Sequence, residues 1–478
     1  MRFFYQPKDG FVGDVIPFYW EGIWHAFYLK APLPPIRKIA DHTSYAHLAS
    51  RDLVYWEEWP IVVEPGSQDE PDSISCWTGS FIERNGVFHL FYVGYRGPDY
   101  PQTICHATSQ DLYTWEKDPL NPILLADQKW YESNDWRDPF VFWNEMHGEY
   151  WMLLTARIKD GPSNRRGCNA LAVSNDLISW ETRPPFWAPK LFISHECPDL
   201  FKWQNEWFLL FSEFNGCPWV THYRSSSFQN GPWSAPVNDT LDGRFFYASK
   251  TVSDGKRRLA FGWNPTRKGE TDSGAWEFGG CMVVHELIKK GKAELGVRAL
   301  AENVAQFKIP VALSFHPEWG EWHSTDETFT AKLTDGSSGS TIGKLPECCQ
   351  IDVTIECTPG TRDCGIFLHA GPGLEEYYQL RWELNRHRIV YDRWPRPGDE
   401  PFMMERPIDI GQDGLLHVKI FLDETVLVAY FNDEVALSHR AYDHQRGMLG
   451  FFVTEGSACF SHVEVKTLVP FNPENDEK

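Results

Sequence analysis

The chain has 478 residues and a formal charge of −21, with 42% hydrophobic and 15% aromatic residues, including 22 Trp. The length calls for two or more domains; the charge argues against nucleic acid, whose binding needs Lys and Arg to displace counterions, and against an anionic membrane surface, and it suits a neutral substrate. No apolar run reaches the length of a membrane span, and the aromatic richness favours an all-β core, with a handful of Trp left to cover sugar faces.

In chain order, one segment type occurs five times: a turn residue, then an aromatic-rich strand. The copies begin at Gly22, Gly86, Gly148, Asn205 and Gly255. A second segment, Ser-x-Asp-Leu-x-x-Trp-Glu, occurs at matching phase at Ser50–Glu57, Ser109–Glu116 and Ser174–Glu181, with a degenerate fourth copy from Ser225 to Trp233. The repeat is roughly fifty to sixty-five residues long. Each unit holds about four short strands, and helical periodicity is nowhere sustained. Five such copies predict a five-bladed β-propeller; a right-handed solenoid is the alternative, though its repeats are shorter. Asp52, Asp111 and Asp176 of the second segment read as turn-closing residues, and its Leu and Trp as packing between blades.

The strand before each turn is expected to be innermost, with its first residues facing a central channel. Those strands start Gly13-Asp14-Val15-Ile16-Pro17, Trp77-Thr78-Gly79-Ser80-Phe81, Arg137-Asp138-Pro139-Phe140, Glu196-Cys197-Pro198-Asp199-Leu200 and Phe246-Tyr247-Ala248-Ser249. Asp14, Asp138 and Glu196 therefore occupy equivalent positions and converge at one end of the channel. The propeller is expected to close near Glu286, and a connector runs from about Lys289 to Pro310. Beyond it the blade motif stops. Leu416–Leu422 and Thr425–Phe431 alternate in polarity around a two-residue link at Asp423-Glu424, and several such strands predict a β-sandwich. The expected domains are residues 1–300 (propeller) and 311–470 (sandwich). The polar tail Asn472–Lys478 is expected to fray.

Two carboxylates flanking a scissile bond are the usual equipment of a glycosidase; in the retaining case one is the nucleophile and the other the acid/base, roughly 5–5.5 Å apart. Burial and neighbouring negative charge raise a carboxyl pKa. Glu196, close in sequence to Phe192, Ile193 and Leu200, is the best acid/base candidate. Asp14 suits a nucleophile. Asp138, fixed by Pro139, suits a rigid holder of sugar hydroxyls. Turn formation is the bland alternative for each acid taken alone. No Asp-rich loop with Ca²⁺-ligand spacing occurs, so no metal and no cofactor is expected.

Together these segments resemble glycoside hydrolase family 32, the invertase, inulinase and levanase group. Arg137-Asp138-Pro139 and Glu196-Cys197-Pro198-Asp199 match its motifs. Trp77-Thr78-Gly79-Ser80 resembles its aromatic-Ser-Gly-Ser motif, Phe246-Tyr247-Ala248 with Arg257–Trp263 its fifth-blade signature, and Phe421–Asn432 its sandwich hairpin. The resemblance implies a five-bladed propeller plus sandwich and retaining cleavage of β-fructofuranosidic bonds in sucrose, fructo-oligosaccharides or fructans. It implies Asp14 as nucleophile, Asp138 as transition-state stabiliser and Glu196 as acid/base. Arg137, Trp77, Ser80, Tyr247 and Trp263 are the implied sugar-binding residues. Two departures touch the pocket: Gly13-Asp14-Val15-Ile16-Pro17 stands where the family reads Asn-Asp-Pro-Asn-Gly, and Phe245 stands where an acidic residue is usual. Fructosyl transfer, including cyclisation, a non-catalytic carbohydrate-binding propeller and an inverting arabinan- or xylan-cleaving relative are the competing readings.

The expected partner is a fructose-containing oligo- or polysaccharide, with no nucleic acid and no membrane. The second domain is read as a brace for the first, with a homo-oligomer interface or a cleft wall as alternatives. The N-terminus shows no secretory pattern, and 11 Cys without a regular framework read as free thiols. A cytoplasmic location is the resulting expectation.

Overall fold

The structure is a computed structural model that describes residues 3–33, 42–214, 220–408 and 414–469; the expected fraying of Asn472–Lys478 lies outside them. Among these residues no helix is long and apolar enough to cross a membrane. Strands dominate, and the chain divides into two compact units.

One unit comprises Tyr5–Thr266 and Trp276–Leu295. It is a five-bladed propeller. The inner strands of the blades are Gly10–Trp20, Ser75–Arg84, Arg137–Asn144, Ser194–Trp203 and Tyr247–Ser253, and they neighbour one another in cyclic order. The first and fifth blades join in one sheet, where Val12 pairs with Gly280 of Trp276–Lys290. The aromatic-rich repeats are the second strands of the blades, buried along most of their length because a sheet lies against each face.

The Ser-x-Asp-Leu segment is a turn device in all three copies. Leu53, Leu112 and Leu177 adopt φ of 65°, 62° and 69°, a conformation that costs a β-carbon residue about 1–2 kcal/mol. Two side chains hold it. The Ser109 hydroxyl accepts from Leu112 N at 2.9 Å, and Asp111 Oδ1 accepts from Tyr113 N and Thr114 N at 2.8 and 2.7 Å; Ser50/Asp52 and Ser174/Asp176 repeat the pattern. The strained Leu is in turn buried between sheets. Asp111→Ala is expected to cost about 1 kcal/mol of stability with activity unchanged, read by denaturant unfolding beside the assay.

The other unit comprises Met1–Phe4, Arg267–Ala275 and Gly296–Lys478. Its two β layers are continuous through one strand, Met448–Leu468. Residues 448–454 of that strand pair with Asp363–Ala370, and residues 458–466 pair with Cys348–Cys357. The strand turns from one layer to the other at Glu455 and Gly456, whose φ are 43° and 144°.

Two sequence expectations shift here. The hairpin link is Glu424-Thr425 rather than Asp423-Glu424, because Asp423 pairs with Val426 inside the ladder. Arg267–Ala275, expected within residues 1–300 as propeller, groups with the C-terminal strands instead. The cause is Asp272, fully buried and accepting from Tyr378 Oη at 2.5 Å, Arg393 at 2.8 Å and Tyr442 N at 3.0 Å. A polar turn thereby becomes the ligand of a buried hydrogen-bond network.

Candidate active site

Successive residues of a regular strand point to opposite faces. Every inner strand of the propeller breaks that rule at the same height. Register shifts fall between Val12 and Val15, Trp77 and Gly79, Arg137 and Phe140, Glu196 and Asp199, and Tyr247 and Lys250. Each is a β-bulge, which re-aims side chains. In three of them the turning residue is left-handed: Asp138, Cys197 and Ala248 have φ of 54°, 51° and 54°. Pro139 and Pro198, which have no N–H for a ladder, sit in the bulges where none is needed.

The consequence is that consecutive side chains share one cavity. Trp77 and Thr78, Arg137 and Asp138, and Glu196 and Cys197 all line a hollow of about 280 Å³, together with Asp14, Tyr247 and Trp263. The equivalence read from the sequence is therefore off by one for Asp14, which matches Pro139 by register, and for Glu196. Asp138 matches Cys197, and Glu196 matches Arg137 and Tyr247.

Each carboxylate has its own set of partners. Asp14 Oδ1 accepts from Trp263 Nε1 at 2.9 Å, and Oδ2 accepts from the Thr78 hydroxyl. Asp138 Oδ2 accepts from the Thr155 hydroxyl at 2.8 Å and from Cys197 N at 3.1 Å, so the fourth blade's bulge aims a backbone amide at the third blade's acid. Glu196 Oε1 accepts from Arg137 Nη2 at 2.8 Å and Nε at 3.2 Å, and Oε2 accepts from Tyr247 Oη. Arg137 also donates to Asp135 at 2.5 Å and to Ser194 at 3.0 Å, and lies 3.7 Å from Asp138. Its guanidinium is held by Glu196, Asp135 and Ser194, and it positions Glu196 at the cavity.

The electrostatics follow from crowding acids in a dry place. Burial pushes the Asp14 carboxyl up to about 7, aided by the charges of Asp138 and Glu196 and opposed by its two hydrogen bonds. Burial also raises Glu196, against the pull of Arg137, with Asp138 adding to the rise. One acid protonated beside one ionised is the state that acid-assisted nucleophilic attack requires. Removing the Tyr247 hydrogen bond leaves the Glu196 anion less stabilised. Tyr247→Phe is thus expected to move the basic limb of the kcat/KM profile upward by about one pH unit, measured across pH 5 to 9.

Seven of the eight residues singled out from the sequence line the cavity. Ser80 does not. It is buried, and its Oγ accepts from Val141 N at 2.9 Å, tying the second inner strand to the third. Thr78 takes the place in the cavity that Ser80 was expected to fill. Asp199 is likewise a tie, accepting from Thr251 N of the fifth inner strand at 2.5 Å. Gln102, Asp135, Phe214, Leu29 and Phe278 also line the hollow. Among these only Asp135, two residues before Arg137-Asp138, carried a sequence signal. Among the described residues no group of three or more His, Cys, Asp or Glu is placed to hold a metal ion.

The altered first motif has a physical counterpart. A β-carbon on Gly13 would lie 2.5 Å from the Phe278 ring, so the glycine makes room for an aromatic wall of the cavity. Gly79 is also fixed by close approach, since a β-carbon there would meet Phe91 O at 2.0 Å and Tyr45 Oη at 2.8 Å. Phe245, at the other departure, is buried with its ring centroid 4.1 Å from that of Trp276, and it does not line the cavity.

Residues 4–293 match the Glycosyl hydrolases family 32 N-terminal domain, and residues 320–467 match the Glycosyl hydrolases family 32 C terminal domain. The chain belongs to glycosyl hydrolases family 32. Within the family it is 24% identical to the sucrose-6-phosphate hydrolase of Escherichia coli, over 96% of this chain and 93% of that one. It is 26% identical to the raffinose invertase of Escherichia coli over the same shares. Its fold matches the crystal structure of the exo-inulinase from Aspergillus awamori with a TM-score of 0.71, at 18% identity and 98% coverage of each chain. The protein is accordingly a glycoside hydrolase of propeller-plus-sandwich architecture.

Proposed function

We propose that the propeller cavity cleaves β-fructofuranosidic bonds with retention of configuration, acting on sucrose-like oligosaccharides or fructans. The observation that carries the reading is the set of bulges that aims Asp14, Asp138 and Glu196 into one hollow, with Asp14 and Glu196 both raised by burial. The names of the relatives, a sucrose-6-phosphate hydrolase, a raffinose invertase and an exo-inulinase, support a fructoside as the substrate class.

In the first step the Asp14 carboxylate attacks the anomeric carbon while Glu196 gives its proton to the departing glycosidic oxygen, leaving a fructosyl ester on Asp14. In the second step Glu196, now a carboxylate, takes a proton from water, and the water breaks the ester. Trp263 and Thr78 hold Asp14 by one oxygen each. Asp138, fixed by Thr155 and Cys197 N, accepts hydrogen bonds from sugar hydroxyls. Trp77, whose ring stacks on Tyr95 at 4.1 Å, offers the cavity an apolar wall.

The test is sugar release from sucrose, sucrose 6-phosphate, raffinose, inulin and levan, with product configuration read by NMR in the first minutes. Free fructose released with retention is the expected result. Turnover of none of them, or release with inversion, would overturn the reading.

A further inference from the structure

The outer face of one sandwich layer carries a hollow of about 490 Å³, within the range of ligand sites. Period two along Tyr377–Glu383 puts Tyr377, Gln379, Arg381 and Glu383 on that face. The register extends it sideways, since Asp363 lies between Glu383 and Thr454, and Thr454 lies beside Ser337.

The floor is aromatic. Trp319 is 39% exposed, large for a Trp with a structural role. Its six-membered ring rests against Gly339, where a β-carbon would come within 2.4 to 2.6 Å of three ring carbons. Its Nε1 donates to Ser337 Oγ at 3.1 Å, which fixes the ring over the sheet. Phe367 continues the floor, with ring centroids 4.5 Å from Tyr377 and 4.8 Å from Phe452.

The rim is charged, and each of its arginines has a carboxylate partner. Arg381 donates to Glu383 at 2.9 Å and lies 3.5 Å from Asp392, which also pairs with Arg396 at 2.5 Å. Arg362 lies 3.6 Å from Asp363, and Arg386 lies 3.6 Å from Glu383. Pairing holds these groups in place without using all of their capacity. They keep spare N–H groups and lone pairs, because a guanidinium has five donors and a carboxylate about four acceptor sites. Fixed donors and acceptors around an exposed aromatic plane match a ligand with many hydroxyls and apolar ring faces.

We propose that this face is a second carbohydrate-binding site, taking a neutral oligosaccharide segment of a longer polysaccharide and separate from the propeller cavity. That the polysaccharide is a fructan rests on the function proposed above.

The experiment is affinity electrophoresis of the full chain in gels cast with inulin or levan, in the Asp14→Asn background so that the polymer survives, and with saturating sucrose to fill the propeller cavity. Retardation that persists in sucrose is expected, weaker by at least about fivefold in Trp319→Ala and also weakened in the milder Gln379→Ala. Far-UV circular dichroism and melting curves confirm that the variants are folded. In the otherwise wild-type enzyme, Trp319→Ala should raise KM on the polymer while kcat/KM on sucrose holds. No retardation in either polymer, retardation abolished by sucrose, or retardation unchanged in both folded variants would overturn the proposal. If the wild type cleaves no fructoside, the function proposed for the propeller fails, while retardation still decides the sandwich site.

Discussion

Asp14→Asn is expected to lower kcat/KM on sucrose by about 10⁴-fold or more and, at the same time, to raise the melting temperature. The loss follows from removing the atom that forms the covalent bond. The gain in stability follows from linkage. The folded-state pKa of Asp14 is raised from 3.8 to about 7, so the folded protein binds that proton more tightly than the unfolded chain does. The stability this contributes is fully present below pH 3.8 and is lost as pH rises towards 7. The span corresponds to about 4 kcal/mol at about 1.36 kcal/mol per unit. Asn carries no charge at any pH. It can turn its oxygen to the Trp263 indole N–H and its amide to the Thr78 hydroxyl, so both contacts survive. The variant should melt a few degrees above the wild type at pH 8, with the gap closing by pH 4, read by calorimetry at both. Equal melting temperatures at pH 8 would mean that the Asp14 charge is not strained.

Glu196→Gln is expected to cost about 10³- to 10⁴-fold on sucrose and far less in the first step of an aryl β-fructofuranoside, whose leaving group departs without a proton. The second step still needs a base, so the aryl alcohol should appear as a burst of one equivalent per enzyme. The geometry favours a folded variant: Arg137 keeps an oxygen to donate to, and Tyr247 Oη can accept from the new amide. Loss of the Glu196 charge also removes one cause of the raised Asp14 pKa. The acidic limb of the burst rate should therefore move to lower pH than the wild-type limb. A loss of the same size on both substrates would remove Glu196 from the acid role.

The repeats made the propeller legible in the sequence because each blade must bury two faces and turn four times, and the same residues solve that problem each time. The turn-closing Asp of Ser-x-Asp-Leu was legible for the same reason. The carboxylates were legible because Arg137-Asp138-Pro139 and Glu196-Cys197-Pro198-Asp199 are rare strings with chemistry in them. The bulges were not, since a register shift depends on the partner strand as much as on the bulged one. Pro139 and Pro198 were the available signal, as residues that cannot donate to a ladder. Ser80 was placed in the pocket by resemblance, whereas its hydroxyl accepts from Val141 N and Thr78 of the bulge lines the cavity. Phe278 was out of reach because its place beside Gly13 joins positions 265 residues apart. Arg137 was assigned to the sugar by resemblance; its hydrogen bonds to Glu196 were not legible in the sequence.

The central claim is that Asp14 forms a covalent bond to the substrate with Glu196 serving as acid and base. The most direct measurement is intact-mass and peptide-mapping mass spectrometry of Glu196→Gln, acid-quenched during the aryl β-fructofuranoside burst. The account predicts a stoichiometric adduct of one fructosyl unit on the peptide that contains Asp14, absent from the Asp14→Asn/Glu196→Gln double variant. An adduct on a different residue, or single-turnover release with inverted configuration and no adduct, would contradict it.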